Sequence, residues 1–171
     1  TVCSYIGRPL SEANNSSIEK KLLALTQEHG LVSCRLQLLR TLTEVATDST
    51  VCKELYRIWE AEEHPLLNEN DYTNMAYELA IRYPERHRQI LTTQRNRISN
   101  PDRIRQFEFI SRAMTPDTIE QEKLFHSFLK AENRNIEPWT LKTLGYLCHP
   151  LREAQTIKYI RPALDALLDI Q

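Results

Sequence analysis

The residues best placed to do chemistry are charged ones in two blocks. Between Arg82 and Arg105 seven arginines (Arg82, Arg86, Arg88, Arg95, Arg97, Arg103, Arg105) stand against Glu85 and Asp102, a local formal charge of +5. Between Glu54 and Asp71 six acids stand against Arg57 alone, a local charge of −5. One reading of the basic block is an anion-binding groove for RNA or for a peptide carboxylate, since guanidinium forks match planar oxyanions. The other is a set of solvated helix faces, with the acidic block pairing against the basic one. RNA binding by stacking needs aromatics among the arginines. Tyr83 flanks the block and Phe107 and Phe109 follow it, but Phe107 and Ile110 are spaced as a core stripe. RNA is thus the weaker alternative.

Metal and nucleophile chemistry finds less support. The histidines are His29, His64, His87, His126 and His149. None is paired four residues apart, so no H-E-x-x-H zinc helix is present, and Glu62-Glu63-His64 lacks a second histidine. Cys3, Cys34, Cys52 and Cys148 match no zinc or redox spacing and are expected to be buried thiols in a reducing compartment. There is no G-x-S-x-G elbow and no phosphate-binding P-loop. Trp139, Leu144 and Leu147 fall near one face, which makes Trp139 a buried anchor rather than part of a cofactor box.

The elements that must position these groups are helices. The chain has 171 residues, a net charge of −1 and only 3 glycines, where average usage would give roughly 12. That scarcity argues against tight hairpins and a dinucleotide-binding fingerprint. No run of 18 apolar residues offers a membrane span. Thr1-Val2-Cys3-Ser4-Tyr5 has neither the basic start nor the apolar stretch of a secretory signal, and the chain starts without Met, as expected of a processed product or a piece of something longer. The expected compartment is the cytoplasm or the periplasm.

Hydrophobic periodicity is helical throughout. Ile18, Leu22, Leu23 and Leu25 form one face, ended by Gly30. Leu31, Leu38, Leu39, Leu42 and Val45 form the next stripe. Asp48 reads as the N-cap of a helix carrying Val51, Leu55, Ile58 and Trp59. The main internal loop is expected at 60–70, followed by a helix starting at Asn70 or Asp71 and running through Met75, Ala76, Leu79 and Ala80. Five prolines, Pro84, Pro101, Pro116, Pro138 and Pro150, sit where a first helical turn would begin, with Asn100 and Thr115 able to cap. A last helix carries Ile160, Leu164, Leu167, Leu168 and Ile170. These features predict an all-α fold without a sheet: an α-solenoid of stacked antiparallel short helices of the HEAT or armadillo kind, forming one domain over 1–171.

The second half carries a series of short motifs. They run Asn96-Arg97-Ile98-Ser99-Asn100-Pro101-Asp102-Arg103, Phe107-Glu108-Phe109-Ile110, Phe125-His126-Ser127-Phe128, Glu132-Asn133-Arg134-Asn135-Ile136-Glu137-Pro138-Trp139, His149-Pro150-Leu151-Arg152 and Tyr159-Ile160-Arg161-Pro162-Ala163-Leu164. In order and spacing this series resembles the C-terminal helical domain of the aminopeptidase N family of zinc metallopeptidases, most nearly its bacterial branch. The likeness is clearest from Tyr72 to Gln171 and thin before Asp48.

The resemblance implies a fragment of a larger enzyme. In that family a β domain and a thermolysin-like catalytic domain precede the helical domain and supply the zinc and the exopeptidase motif. The chain alone is then expected to be non-catalytic and to carry no cofactor, with zinc held elsewhere in the parent enzyme. Its partners would be the catalytic domain of the same polypeptide and peptide substrates, with no membrane, and nucleic acid only under the weaker RNA alternative. The helical domain packs over the catalytic domain and encloses the peptide chamber. Arg97, Arg103 and Arg134, clustered near capped helix starts, are the candidates for pairing with a peptide carboxylate; their alternative role is to cap helix C-termini or bridge repeats. A free-standing HEAT-like scaffold for another protein is the alternative function.

Overall fold

The computed structural model describes residues 12–28 and 30–166. All regular structure among them is helical. Cys3, His29, Leu167, Leu168 and Ile170 lie outside the described residues. The chain divides into two compact units, Thr1–Leu79 and Ala80–Gln171.

In the first unit α1 (Glu12–Gln27) packs along α2 (Val32–Val45), and α3 (Ser49–Ala61) follows. Val51, Leu55, Ile58 and Trp59 of α3 are buried, as their spacing predicts, whereas of the stripe expected on α2 only Leu39 and Leu42 are buried: Leu38 and Val45 are half-buried and Leu31, which precedes the helix, is exposed. The side chain of Asp48 accepts from the backbone N–H groups of Thr50 and Val51, so the expected cap forms. The face of α1 is different from the one expected. Ile18 and Leu25 are exposed, Leu22 and Leu23 are half-buried, and the buried side chains are Glu19 and Thr26. Glu19 is 3% exposed yet fully engaged. Its carboxylate accepts from the Thr47 N–H at 3.0 Å, the Thr47 hydroxyl at 2.8 Å and the Asp48 N–H at 2.8 Å. These donors belong to the turn between α2 and α3, so a buried acid is cheaper here than an unsatisfied turn. Arg35 closes the other end of α1 by donating Nε to the Thr26 carbonyl at 2.8 Å.

The expected loop is shorter than 60–70. Helix α3 runs to Ala61 and stops at Glu62, whose φ of 55° is left-handed. That conformation usually falls to glycine, and this glycine-poor chain meets it with an exposed glutamate. The next helix, α4 (Glu69–Arg82), starts earlier than Asn70. Asn68 is its cap: the Asn68 side chain accepts from the N–H groups of Asn70 and Asp71, and Asp71 accepts back from the Asn68 N–H at 3.1 Å. This reciprocal capping box leaves Asp71 inside the helix. There, 5% exposed, it meets Arg40 through both carboxylate oxygens, at 2.7 and 3.2 Å.

The second unit holds α5 (His87–Arg97), α6 (Pro101–Ser111), α7 (Thr118–Phe128), α8 (Glu137–Leu147), α9 (Glu153–Thr156) and α10 (Ile160–Ala166), with 3-10 turns between them. Three of the five prolines start elements and a fourth lies in a first turn. Pro101 opens α6, Pro138 is the second residue of α8, and Pro84 and Pro150 open 3-10 turns that lead into α5 and α9. Pro116 does not: the cap of α7 is Asp117, accepting from Ile119 and Glu120, and Thr115 supports it by accepting from the Asp117 N–H. Phe107 and Ile110 of α6, Leu124, Phe125 and Phe128 of α7, Leu147 of α8 and Tyr159 are buried. Phe125 stacks on Tyr159 with ring centroids 4.5 Å apart. Trp139 is half-buried rather than a central anchor, 5.8 Å from the Phe109 ring.

Candidate functional site

The three arginines singled out above all lie in the second unit, on separate elements. Arg97 ends α5, half-buried, and together with Arg95 puts positive charge at the negative end of that helix. Arg103 is exposed in the first turn of α6, with its backbone N–H donated to the Asn100 cap. Arg134 closes the 3-10 turn Ala131–Arg134 and is half-buried, with one guanidinium nitrogen, Nη1, buried and without a hydrogen-bond partner. None of the three lines either of the two grooves described below.

The basic block makes local ion pairs. Arg95 meets Glu108 of α6 at 3.1 Å and Arg105 meets Asp102 one turn earlier. The acidic block does the same, with Arg57 on Glu54 at 2.6 Å. Such exposed pairs contribute little stability each.

The four described histidines each have a neighbour in the fold. His64 Nδ1 accepts from the Leu66 N–H at 3.3 Å, and burial, then the charge of Arg35, lowers its pKa. His149 is buried and caps the turn Pro150–Arg152 by accepting from the Leu151 N–H. His87 Nδ1 lies 2.6 Å from the Pro84 carbonyl, an acceptor only, so that nitrogen carries the proton. His126 sits 3.9 Å from Glu122. Among the described residues no group of three His, Cys, Asp or Glu side chains could hold a metal ion. The thiols differ from expectation: Cys52 is buried, but Cys34 and Cys148 are exposed.

Two open grooves flank α7. The first, of about 460 Å³, is lined by Ile119, Glu122, Lys123, His126, Ser127, Lys130 and Asn133. Glu122 there is bound to Lys158 at 2.9 Å, and that ammonium holds its carboxyl below the usual range. The second, of about 520 Å³, is lined by residues of α5 (His87, Arg88, Leu91, Thr92), of the end of α6 and the turn after it (Ser111, Arg112, Thr115) and of α7 (Glu120, Lys123, Leu124). Arg88 comes from the basic block, but Arg112 and Lys123 come from outside it. Only the packing of three helices gathers them, and no sequence spacing marks the set.

A further residue escapes sequence reasoning. Arg152 is 8% exposed and reaches back across the second unit to donate to the carbonyls of Ala113 and Met114, at 2.6 and 2.7 Å. Its one sequence signal is that an arginine follows a proline-initiated turn.

Comparisons of the chain with protein-family models, with curated proteins and with solved structures each give no match. No helix among the described residues is long and apolar enough to cross a membrane.

Proposed function

We propose that this chain is the helical C-terminal module of a zinc aminopeptidase, packing over a catalytic domain of the same polypeptide and enclosing the chamber in which peptides are cut. The observation that carries the reading is where the resembling residues fall. Asn100-Pro101 is the cap and first turn of α6, and Pro138 lies in the first turn of α8. His149-Pro150 is the capped turn that delivers Arg152 to the carbonyls after α6. Phe107, Ile110, Phe125, Phe128 and Tyr159 are core. The series thus supplies caps, first turns and core side chains of the second unit, while Ile136, Leu151, Ile160 and Leu164 of the same series are exposed.

In this reading the chain's work is enclosure and docking, and the zinc belongs to the catalytic domain. Apolar side chains left exposed on the second unit, among them Leu141, Leu151, Ile157, Ile160 and Leu164, supply surface for such packing. Stacking of its short helices as a solenoid would give an extended wall for the chamber. The upstream coding region tests the proposal. H-E-x-x-H with a downstream glutamate, in frame before Thr1, is the expected result, together with chelator-sensitive aminopeptidase activity of the intact polypeptide. A start codon close to Thr1 refutes it and favours a free-standing helical scaffold.

A further inference from the structure

The arginines of the described second unit differ in one respect: whether a carboxylate answers them. Arg95 is paired with Glu108 and Arg105 with Asp102. Arg88 and Arg112 meet no carboxylate among the described residues, and both are exposed on the same groove. Arg112 lies over the Phe109 ring, 6.0 Å from its centroid, a contact that satisfies none of its N–H donors. Lys123 lines the groove from α7, and the one acid there, Glu120, is already bound to Lys123 at 2.8 Å. Three cations on three helical segments thus face one acid across about 520 Å³.

The uncharged lining suits an oxyanion with a compact organic body. Thr115 Oγ1 accepts from the Asp117 N–H, so its own proton is free to be donated outward. Thr92 adds a second hydroxyl, and Leu91 and Leu124 give apolar wall. Two guanidinium forks, an ammonium and hydroxyl donors exceed what one carboxylate can accept, but they match the three oxygens and double charge of a phosphomonoester. The volume is that of a small-molecule site, and Arg95 and Arg105 of the basic block are already paired with acids, which interrupts a positive track for a polymer.

We propose that the groove lined by Arg88, Thr92, Arg112, Thr115 and Lys123 binds a small phosphomonoester, with Arg88 and Arg112 as the forks that grip it. This site is independent of the peptidase reading: it needs only the second unit as it stands.

Phenyl phosphate is the probe, titrated into the full 171-residue chain while arginine Nε–Hε resonances and calorimetric heat are followed. Shifts at Arg88 and Arg112 are expected, with benzoate at least about tenfold weaker, since it offers half the charge and one oxygen fewer. Arg88→Gln and Arg112→Gln should each weaken phenyl phosphate by about tenfold, and both sites are exposed enough to leave the fold intact. Arg57→Gln, which removes an exposed arginine of the first unit, should change nothing. Equal affinity for benzoate overturns the proposal, as does binding undiminished in the Arg88 and Arg112 variants. An RNA hexamer that binds more tightly than phenyl phosphate would overturn it in favour of a polymer.

Discussion

Removing the side chain of Arg152 sets two large effects against each other, and their difference is measurable. The guanidinium is 8% exposed, meets no carboxylate among the described residues and donates to two carbonyls at 2.6 and 2.7 Å. Burial lowers its pKa from 12.5 to about 10. At 1.36 kcal/mol per unit, keeping the group charged in place costs roughly 3 kcal/mol. Two charge-assisted hydrogen bonds return about 1.5–3 kcal/mol each, and both acceptors belong to fully buried residues, Ala113 and Met114. Arg152→Met therefore forfeits about 3–6 kcal/mol and recovers about 3, a net loss of about 0–3 kcal/mol centred near 1.5. For a chain of this size the central value lowers Tm by about 3–6 °C. Arg152→Lys separates the terms. It keeps the buried charge but loses the fork, so it should be no more stable than Arg152→Met. Urea unfolding followed by far-UV circular dichroism reads both variants. A Met variant more stable than the parent, or a Lys variant that is harmless, would refute the reasoning.

Three further outcomes follow from the first unit. Asn68→Ala removes the acceptor that caps α4 and should cost about 1 kcal/mol in the same urea assay, whereas Asn70→Ala, at the start expected from sequence, should cost little. The carboxyl of Asp48 is held well below the usual range, first by the Ser16 hydroxyl at 2.6 Å and then by the Val51 N–H. Its stabilisation is complete above the unfolded value near 4 and is lost as pH falls through the depressed folded value. Asp48→Asn should thus be less stable than the parent at pH 7, with the gap closing below about pH 4; a constant gap argues against the assignment. His64 is held neutral by burial, then by Arg35. The unfolded chain takes up its proton first, so the parent should lose stability as pH falls below about 6.5. Urea midpoints of His64→Gln between pH 7 and 5 should decline less steeply, and parallel declines would count against it.

The parts of the fold legible in the sequence are those governed by neighbours one helical turn apart. Val51, Leu55, Ile58 and Trp59 repeat at helical spacing and are buried, and Asp48 and Asn100 cap the helices they precede. Asn68 was hidden because its choice over Asn70 depends on Asp71 closing the box and on Arg40, 31 residues away, anchoring that acid. Asp117 displaced Thr115 because both can cap and only one can begin α7; the loser became its support. The candidate site was half legible. The basic block contains Arg88, but nothing local distinguishes it from Arg95 or Arg105, which find acids close by.

The sequence by itself determined that this protein is helical, where α3, α6 and α8 start, and which apolar stripes of α3, α4 and α6 are buried. Those are properties of a single helix: propensity, capping and a 3.6-residue period act between residues a turn apart. Only the tertiary structure decided that α1 turns Glu19 inward and Ile18 and Leu25 outward. It alone brought Arg152 to two carbonyls nearly forty residues away and gathered Arg88, Arg112 and Lys123 around one groove. A period records which residues share a face. It does not record which donors, carbonyls or charges another helix brings to that face, and those decide whether a buried carboxylate is satisfied or an exposed arginine is left for a ligand.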